Sequence, residues 1–313
     1  MDNLPKDQLK KNNDEIDLLE IFHVLLQGKW TIVSFTTFVS IIGVVYSLSL
    51  PNIYESESLL APVGSSSSVS GSLAGYSGLA GLAGINLPSP GSDVNSVQAI
   101  QKLKSLSFFE ENILPNIFLP DLMAFESWNF QTNELIYDNN AYNMITNTWV
   151  RGYSYPQKQI PTAQESFRVF KGHFSLSEDK KTGFLSLKIK HQSPFIAKQW
   201  SELVIDQVNN FYRQKDKSES ERAVNYLNQK LAMTSLSEVK VAIAELLQQH
   251  TKRLTIVEAK EFYVFEFIDP PAVSEIKSEP KRALICILSA ILGGLLSILL
   301  VFTIHYGFKK KTY

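Results

Sequence analysis

Two uncharged apolar runs bracket this chain and constrain it more than any other feature. Thr31–Leu50 lies near the start and Ala283–Ile304, 22 residues without a charge, lies near the end. A helix needs about 20 apolar residues to cross a bilayer core, so each run is long enough to span one. Between them lie 231 residues (51 to 281) of ordinary polar sequence. The expected layout is a water-exposed body held to a membrane at both ends. It divides into a lead (1–30), a first span (31–50), a body (51–281), a second span (282–308) and a short tail (309–313).

Positive charge near the spans predicts their direction. Lys10, Lys11 and Lys29 precede the first run, no Lys or Arg follows it until Lys102, and Lys309, Lys310 and Lys311 follow the second. Lys and Arg favour the cytoplasmic side, which predicts both termini in the cytoplasm and the body outside. Lys281 and Arg282 oppose this, but two spans force both ends to one side. A cleaved signal peptide fits the first run poorly, because no A-x-A site precedes Pro51. A net charge of −1 excludes a basic nucleic-acid binder. The single cysteine, Cys286, sits inside the second run, so the body must hold together by packing alone.

Along the chain, Asp14 is placed to cap a helix over 15–28, with Ile16, Leu19, Phe22 (or His23) and Leu26 on one face. That helix reads equally as lying on the membrane surface or as the start of the first span. Residues 54–61 read as a strand. Residues 61–94 hold seven glycines and nine serines and read as a mobile, protease-sensitive loop. Residues 94–114 read as a helix, with Val97, Ile100, Leu103 and Leu106 spaced at three, ended by Pro115 and Pro120. Residues 121–164 carry no decisive pattern. Phe167–Leu176 and Phe184–Ile189 read as paired strands.

Ser193-Pro194 is a helix-start signal, and from Phe195 to Asp269 there are 75 residues with no Gly and no Pro. As one helix, residues 194–257 would reach roughly 95 Å at 1.5 Å per residue. The alternative is two or three helices with turns near 216–219 and 234–237. The charged stretch Arg213–Glu221 reads as solvated on every side. Glu261–Ile268 reads as a strand by its aromatic and β-branched content. The fold class expected is α+β between two transmembrane helices.

No catalytic pattern stands out. The histidines, at 23, 173, 191, 250 and 305, form no His-x-x-x-His pair, and no metal site or cofactor is expected. There is no G-x-S-x-G elbow, and Gly28-Lys29 is followed by Trp30 where a P-loop needs Ser or Thr. The spans do carry a pattern. Ser289, Gly293 and Ser297 recur every four residues, as do Ala290 and Gly294, and the first span offers Gly43 and Ser47. Small residues at this spacing let helices approach closely in lipid, and they are the candidate packing and self-association residues.

Taken together, Asp14-Glu-Ile-Asp-Leu-Leu-Glu-Ile21 before the first span, Pro51-x-x-Tyr54-Glu-Ser-Glu-Ser after it, Phe267-Ile-Asp-Pro-Pro-Ala272, Pro280-Lys-Arg and Gly293-Gly294 resemble the Wzz-type polysaccharide co-polymerases, chain-length determinants of bacterial surface polysaccharides. The resemblance implies an inner-membrane protein with a periplasmic α/β base and a long projecting helix. It implies a homo-oligomer with no catalytic residues that sets the modal length of glycans, such as lipopolysaccharide O-antigen, built on a lipid carrier by a Wzy-type polymerase. Expected partners are therefore further copies of itself, that polymerase, inner-membrane lipid and the lipid-linked glycan. A related branch fuses a cytoplasmic kinase, for which the tail at 309–313 leaves no room. A capsule-export adaptor is the alternative function; a two-span sensor fits the short lead and tail poorly.

Overall fold

The computed structural model describes residues 18–63 and 92–309. The glycine- and serine-rich segment therefore lies almost wholly outside the described residues, as does the Asp14 cap. The chain divides into two compact units, one comprising residues 1–51 with 279–313 and the other residues 52–278.

The first unit is helical. Helix α1 (Leu18–Gln27) and helix α2 (Lys29–Ser49) are joined at Gly28, and the long α8 (Arg282–Lys309) packs against both. Of α1, Val24 is buried, while Phe22 and Leu26 stay exposed. Both α2 and α8 are long and apolar enough to cross a membrane, by length and composition.

The second unit is built on a four-stranded antiparallel sheet of order β6-β7-β1-β8, from β1 (Tyr54–Pro62), β6 (Phe174–Glu178), β7 (Leu185–His191) and β8 (Phe265–Asp269). In β7 burial alternates strictly: Leu185, Leu187, Ile189 and His191 are buried, while Ser186, Lys188 and Lys190 face outward. That is the period-2 pattern of a strand with one covered face. On the outer face Lys188 bridges Glu55 and Glu57 of β1, both at 3.1 Å.

The inner face is covered by α6 (Pro194–Met233), capped by the Ser193 hydroxyl, and by the segment Leu106–Ile113. Ala197, Trp200, Val204, Ile205 and Val208 recur at three and four, so one stripe of α6 meets the sheet. Phe108, Phe109 and Ile113 fill the remaining space. Helix α3 (Ser92–Leu103) ends before Ser105, whose hydroxyl accepts from the Phe108 amide and restarts the winding. The predicted helix over 94–114 is thus broken there. Ile100 and Leu103 are buried as expected, but Val97 is exposed.

Residues 167–173 correct the sequence reading. They belong to helix α5 (Ala163–His173), and only Phe174–Leu176 of the expected strand is extended, in β6. The missed signal is Thr162-Ala-Gln-Glu165, a capping-box pattern; the Thr162 hydroxyl accepts from the Glu165 amide. The unassigned stretch before it holds a short helix α4 (Leu119–Met123), hairpin β2–β3 (Phe125–Asn129, Glu134–Tyr137) and two-residue strands β4 (Tyr142–Asn143) and β5 (Thr148–Trp149). Arg151 and Glu165 form a close ion pair that ties this stretch to α5.

The breaker-free region is not one helix. α6 stops at Met233, residues 234–236 turn, and α7 (Ser237–Ala259) packs back antiparallel along α6. Of the two turn positions expected, 234–237 is used and 216–219 is not. Arg213–Glu221 is also not solvated all round. Asp216 is 3% exposed and Ser220 is fully buried, because the returning chain supplies partners. Arg253 of α7 donates to Asp216 at 3.0 Å, and the Tyr263 hydroxyl makes a very short bond to the same carboxylate. Burial and that carboxylate together push the Tyr263 phenol well above its ordinary range.

One side chain fastens β8 to α6. Asn209, buried at mid-helix, accepts from the Val264 and Phe265 amides at 2.8 and 3.0 Å and donates to the Phe265 carbonyl at 2.9 Å. Replacing it with Ala strands buried backbone groups, at about 1–3 kcal/mol for each unsatisfied one. Asn209→Ala should lower stability by about 3 kcal/mol, read from thermal unfolding of the detergent-solubilised chain.

His191 adds a pH signature. It is buried beside Trp200, accepts at Nδ1 from the Ser193 amide (3.0 Å) and directs Nε2 at the Asp121 carbonyl. Burial, aided by the neighbouring His173, holds its pKa down to about 4. Between that value and the ordinary 6.5 the unfolded chain takes up a proton that the folded chain refuses, so stability rises with pH across this window. Stability should therefore fall from pH 6.5 toward pH 4, by at most about 1.4 kcal/mol per unit from this group. Denaturation curves of His191→Asn should lose that slope.

Candidate functional site

The candidate residues from the sequence all lie on the two long apolar helices, and the structure separates them into two sets. α2 and α8 run antiparallel and in contact along their length. Gly43 faces Ser289: a methyl group added at Gly43 would lie 2.5 Å from the Ser289 Cβ. One added at Gly293 would lie 2.9 Å from the Val39 Cβ and 3.3 Å from the Thr36 Cα. Thr36 and Ser297 hydroxyls meet at 3.4 Å, the Ser297 hydroxyl also donates to the Gly294 carbonyl, and Ser47 and Ser297 are both buried. Further along, Gly28 abuts Val301, where an added Cβ would meet a methyl at 2.5 Å.

Gly43, Ser289, Gly293 and Ser297 therefore pack the chain against itself. The small-residue spacing in the sequence points to self-association, and for these four the partner helix is the chain's own. Gly294 is different: nothing lies within 4 Å of a methyl added there. Ala290, four residues before it, is partly exposed like Gly294. The rest of the surface is a jacket of exposed apolar side chains, among them Phe38, Ile41, Ile42, Val45, Leu288, Ile291, Leu295 and Leu299. In water such a jacket is unfavourable; in hydrocarbon it is the expected surface.

Elsewhere the structure assembles one cluster that sequence spacing could not reveal. His173 on α5 and His191 on β7 come to 5.9 Å between ring centroids, both against Trp200. His173 Nδ1 donates to the Lys190 carbonyl at 2.7 Å and His191 is committed as above, so this is a packed aromatic–imidazole core. Among the described residues, no group of three or more His, Cys, Asp or Glu is placed to hold a metal. A polar cleft lined by Glu110, Gln157, Gln164 and Arg168 lies between α5 and the loop before it, open to solvent.

The helix pairing has a direct test. In a Cys286→Ser background, Thr36→Cys with Ser297→Cys should oxidise within one chain, giving a faster-migrating monomer on a non-reducing gel. Adding Gly293→Leu should abolish the cross-link, since the larger side chain cannot fit against Val39 and Thr36. A cross-linked dimer in place of the shifted monomer would contradict the pairing described.

Residues 14–113 match the family model described as Wzz, chain length determinant protein. No curated protein matches the chain. Among solved structures, a full-length bacterial polysaccharide co-polymerase is similar at a TM-score of 0.40 with 12% identity, covering 95% of this chain and 100% of its own. A fragment of WzzB, a polysaccharide co-polymerase from Salmonella Typhimurium, is similar at a TM-score of 0.33 with 13% identity, covering 73% of this chain and 100% of its own. The family resemblance seen in the sequence, most specific over residues 14–60 and 262–300, is thus matched by the Wzz chain length determinant model over residues 14–113, about a third of the chain.

Proposed function

We propose that this chain is a non-enzymatic regulator of the modal length of a surface polysaccharide assembled on a lipid carrier, with lipopolysaccharide O-antigen the polymer concerned. The single observation that carries the reading is the family match over residues 14–113, which takes in the first apolar helix and the strand β1 that begins the body. In this reading the two apolar helices anchor the chain in a bacterial inner membrane, with both termini cytoplasmic and residues 52–278 in the periplasm. The charge placement around the spans supports that orientation.

The physical role proposed is positional. A body held at both ends is kept at the membrane, where the lipid-linked glycan is built. Several copies, arranged as a homo-oligomer, would bias how long a Wzy-type polymerase keeps a growing glycan. Interaction energy spent on holding polymerase and polymer together changes dwell time with no bond made or broken by this chain.

Deleting the gene should turn a clustered distribution of sugar-chain lengths into a broad, mostly short one on a gel of surface glycan. Complementation should restore the cluster. An unchanged ladder would reject the proposal, and loss of surface polymer with intracellular accumulation would point instead to export.

A further inference from the structure

The two ends of residues 52–278 leave the body side by side. The Ser278 amide donates to the Ile53 carbonyl at 2.9 Å, the Ser278 hydroxyl does so at 3.2 Å, and Lys277 reaches Asn52 at 3.5 Å. Covalent geometry therefore defines a membrane-facing end, given that the two apolar helices span. Tyr54 is only four residues past Leu50, at most about 14 Å of extended chain.

A chain of aromatic rings marks that same end. Trp128 of β2 lies edge-on to Tyr54 at 5.6 Å and is 6.4 Å from Phe195, in the first turn of α6. Two residues past Trp128, Phe130 sits at the tip of the β2–β3 hairpin with 74% of its surface exposed. The tip is rigidly built. Asn129 Oδ1 accepts from the Gln131 and Thr132 amides, Trp128 Nε1 donates to Asn133 Oδ1 at 3.0 Å, and Asn133 takes a positive φ of 56°. Ile276, six residues before α8, is 79% exposed on the other chain exit. Nothing in the fold of this unit needs a bare phenylalanine on a braced turn.

We propose that the β2–β3 hairpin is a membrane foot, with Phe130 seated in the headgroup layer and Trp128 and Tyr54 above it. Trp and Tyr rings concentrate at that depth because one edge is apolar and the other meets water, and Phe130, wholly apolar, gains by leaving water beside them. The charges that this unit carries on the hairpin and at its second chain exit are Glu126, Glu134 and Glu275 against Lys277, with no basic excess. Attraction to anionic lipid is therefore not the driving force, and the contact should be indifferent to salt. The proposal rests on the reading of α2 and α8 as membrane spans.

The test uses the full chain in nanodiscs of phosphatidylethanolamine and phosphatidylglycerol, in a Cys286→Ser background. A nitrobenzoxadiazole label is placed by Phe130→Cys, by Leu288→Cys on the outer face of α8, or by Met233→Cys at the far end of α6, 39 residues and roughly 60 Å from Pro194. Lipids carrying a nitroxide near the headgroup should remove at least half of the emission at 130, at low and high salt alike, and leave 233 unchanged. Lipids with a deep nitroxide should quench 288. Full emission at 130 with quenching by aqueous iodide overturns the foot while 288 keeps the spanning reading intact. Absence of lipid quenching at 288 overturns the spanning reading and the foot with it. A nitroxide on residue 130 whose spectrum is broadened by a second labelled copy, and sharpens on dilution with unlabelled chain, would place the hairpin against another copy and overturn the lipid assignment.

Discussion

The structure depends on β1 being paired on both sides. Its partners, β7 and β8, come from residues 185–191 and 265–269, so two ladders of backbone hydrogen bonds close loops of well over a hundred residues. Closing such loops costs entropy that local contacts do not repay. The cost is offset by the core beneath the sheet, where Leu60, Leu187, Ile189, Trp200, Val204 and Phe265 are almost wholly withdrawn from water. Once β1 is in place, Ile53 and Ser278 must be neighbours and both connections to the apolar helices leave from one point.

The helical hairpin rests on a different kind of interaction. Along the sheet, α6 uses an apolar stripe, but beyond Tyr212 its sequence turns polar, and apart from Val257 of α7 little apolar burial holds the two helices together there. There the polar pairing is carried by Asp216 with Arg253 of α7, and Tyr263 of the chain beyond α7 completes the partners of that carboxylate. The buried carboxylate is tolerable because a cation and a phenol satisfy it; an unpartnered one would cost several kcal/mol. Nearer the turn, Leu227 of α6 and Ile243 of α7 are again buried. Lys217–Glu258, by contrast, is an exposed pair and contributes little.

In the first unit, close approach replaces bulk. Gly43 and Gly293 remove the side chains that would hold α2 and α8 apart, and short hydroxyl-bearing residues fill the seam. The outward faces keep large aliphatic side chains. The division between a small-residue seam and a bulky exterior is the one expected where lipid, not water, is the competing neighbour.

The sequence alone determined the features that come from unbroken local patterns. Two apolar runs are helices because length and composition leave them no other way to satisfy their backbone. Strand β7 alternates, and Ser193-Pro194 starts a helix, because these depend only on residues adjacent in the chain. The small-residue positions were legible too, but not their partner. Tertiary structure decided the rest. It showed that α6 ends at Met233, that Asp216 and Ser220 are buried, that residues 167–173 coil instead of extend, and that Gly43 meets Ser289 of its own chain. The burial of Asp216 and the meeting of Gly43 with Ser289 are contacts between segments tens to hundreds of residues apart. The free energy that selects them lies in the pairing, so neither segment carries it alone.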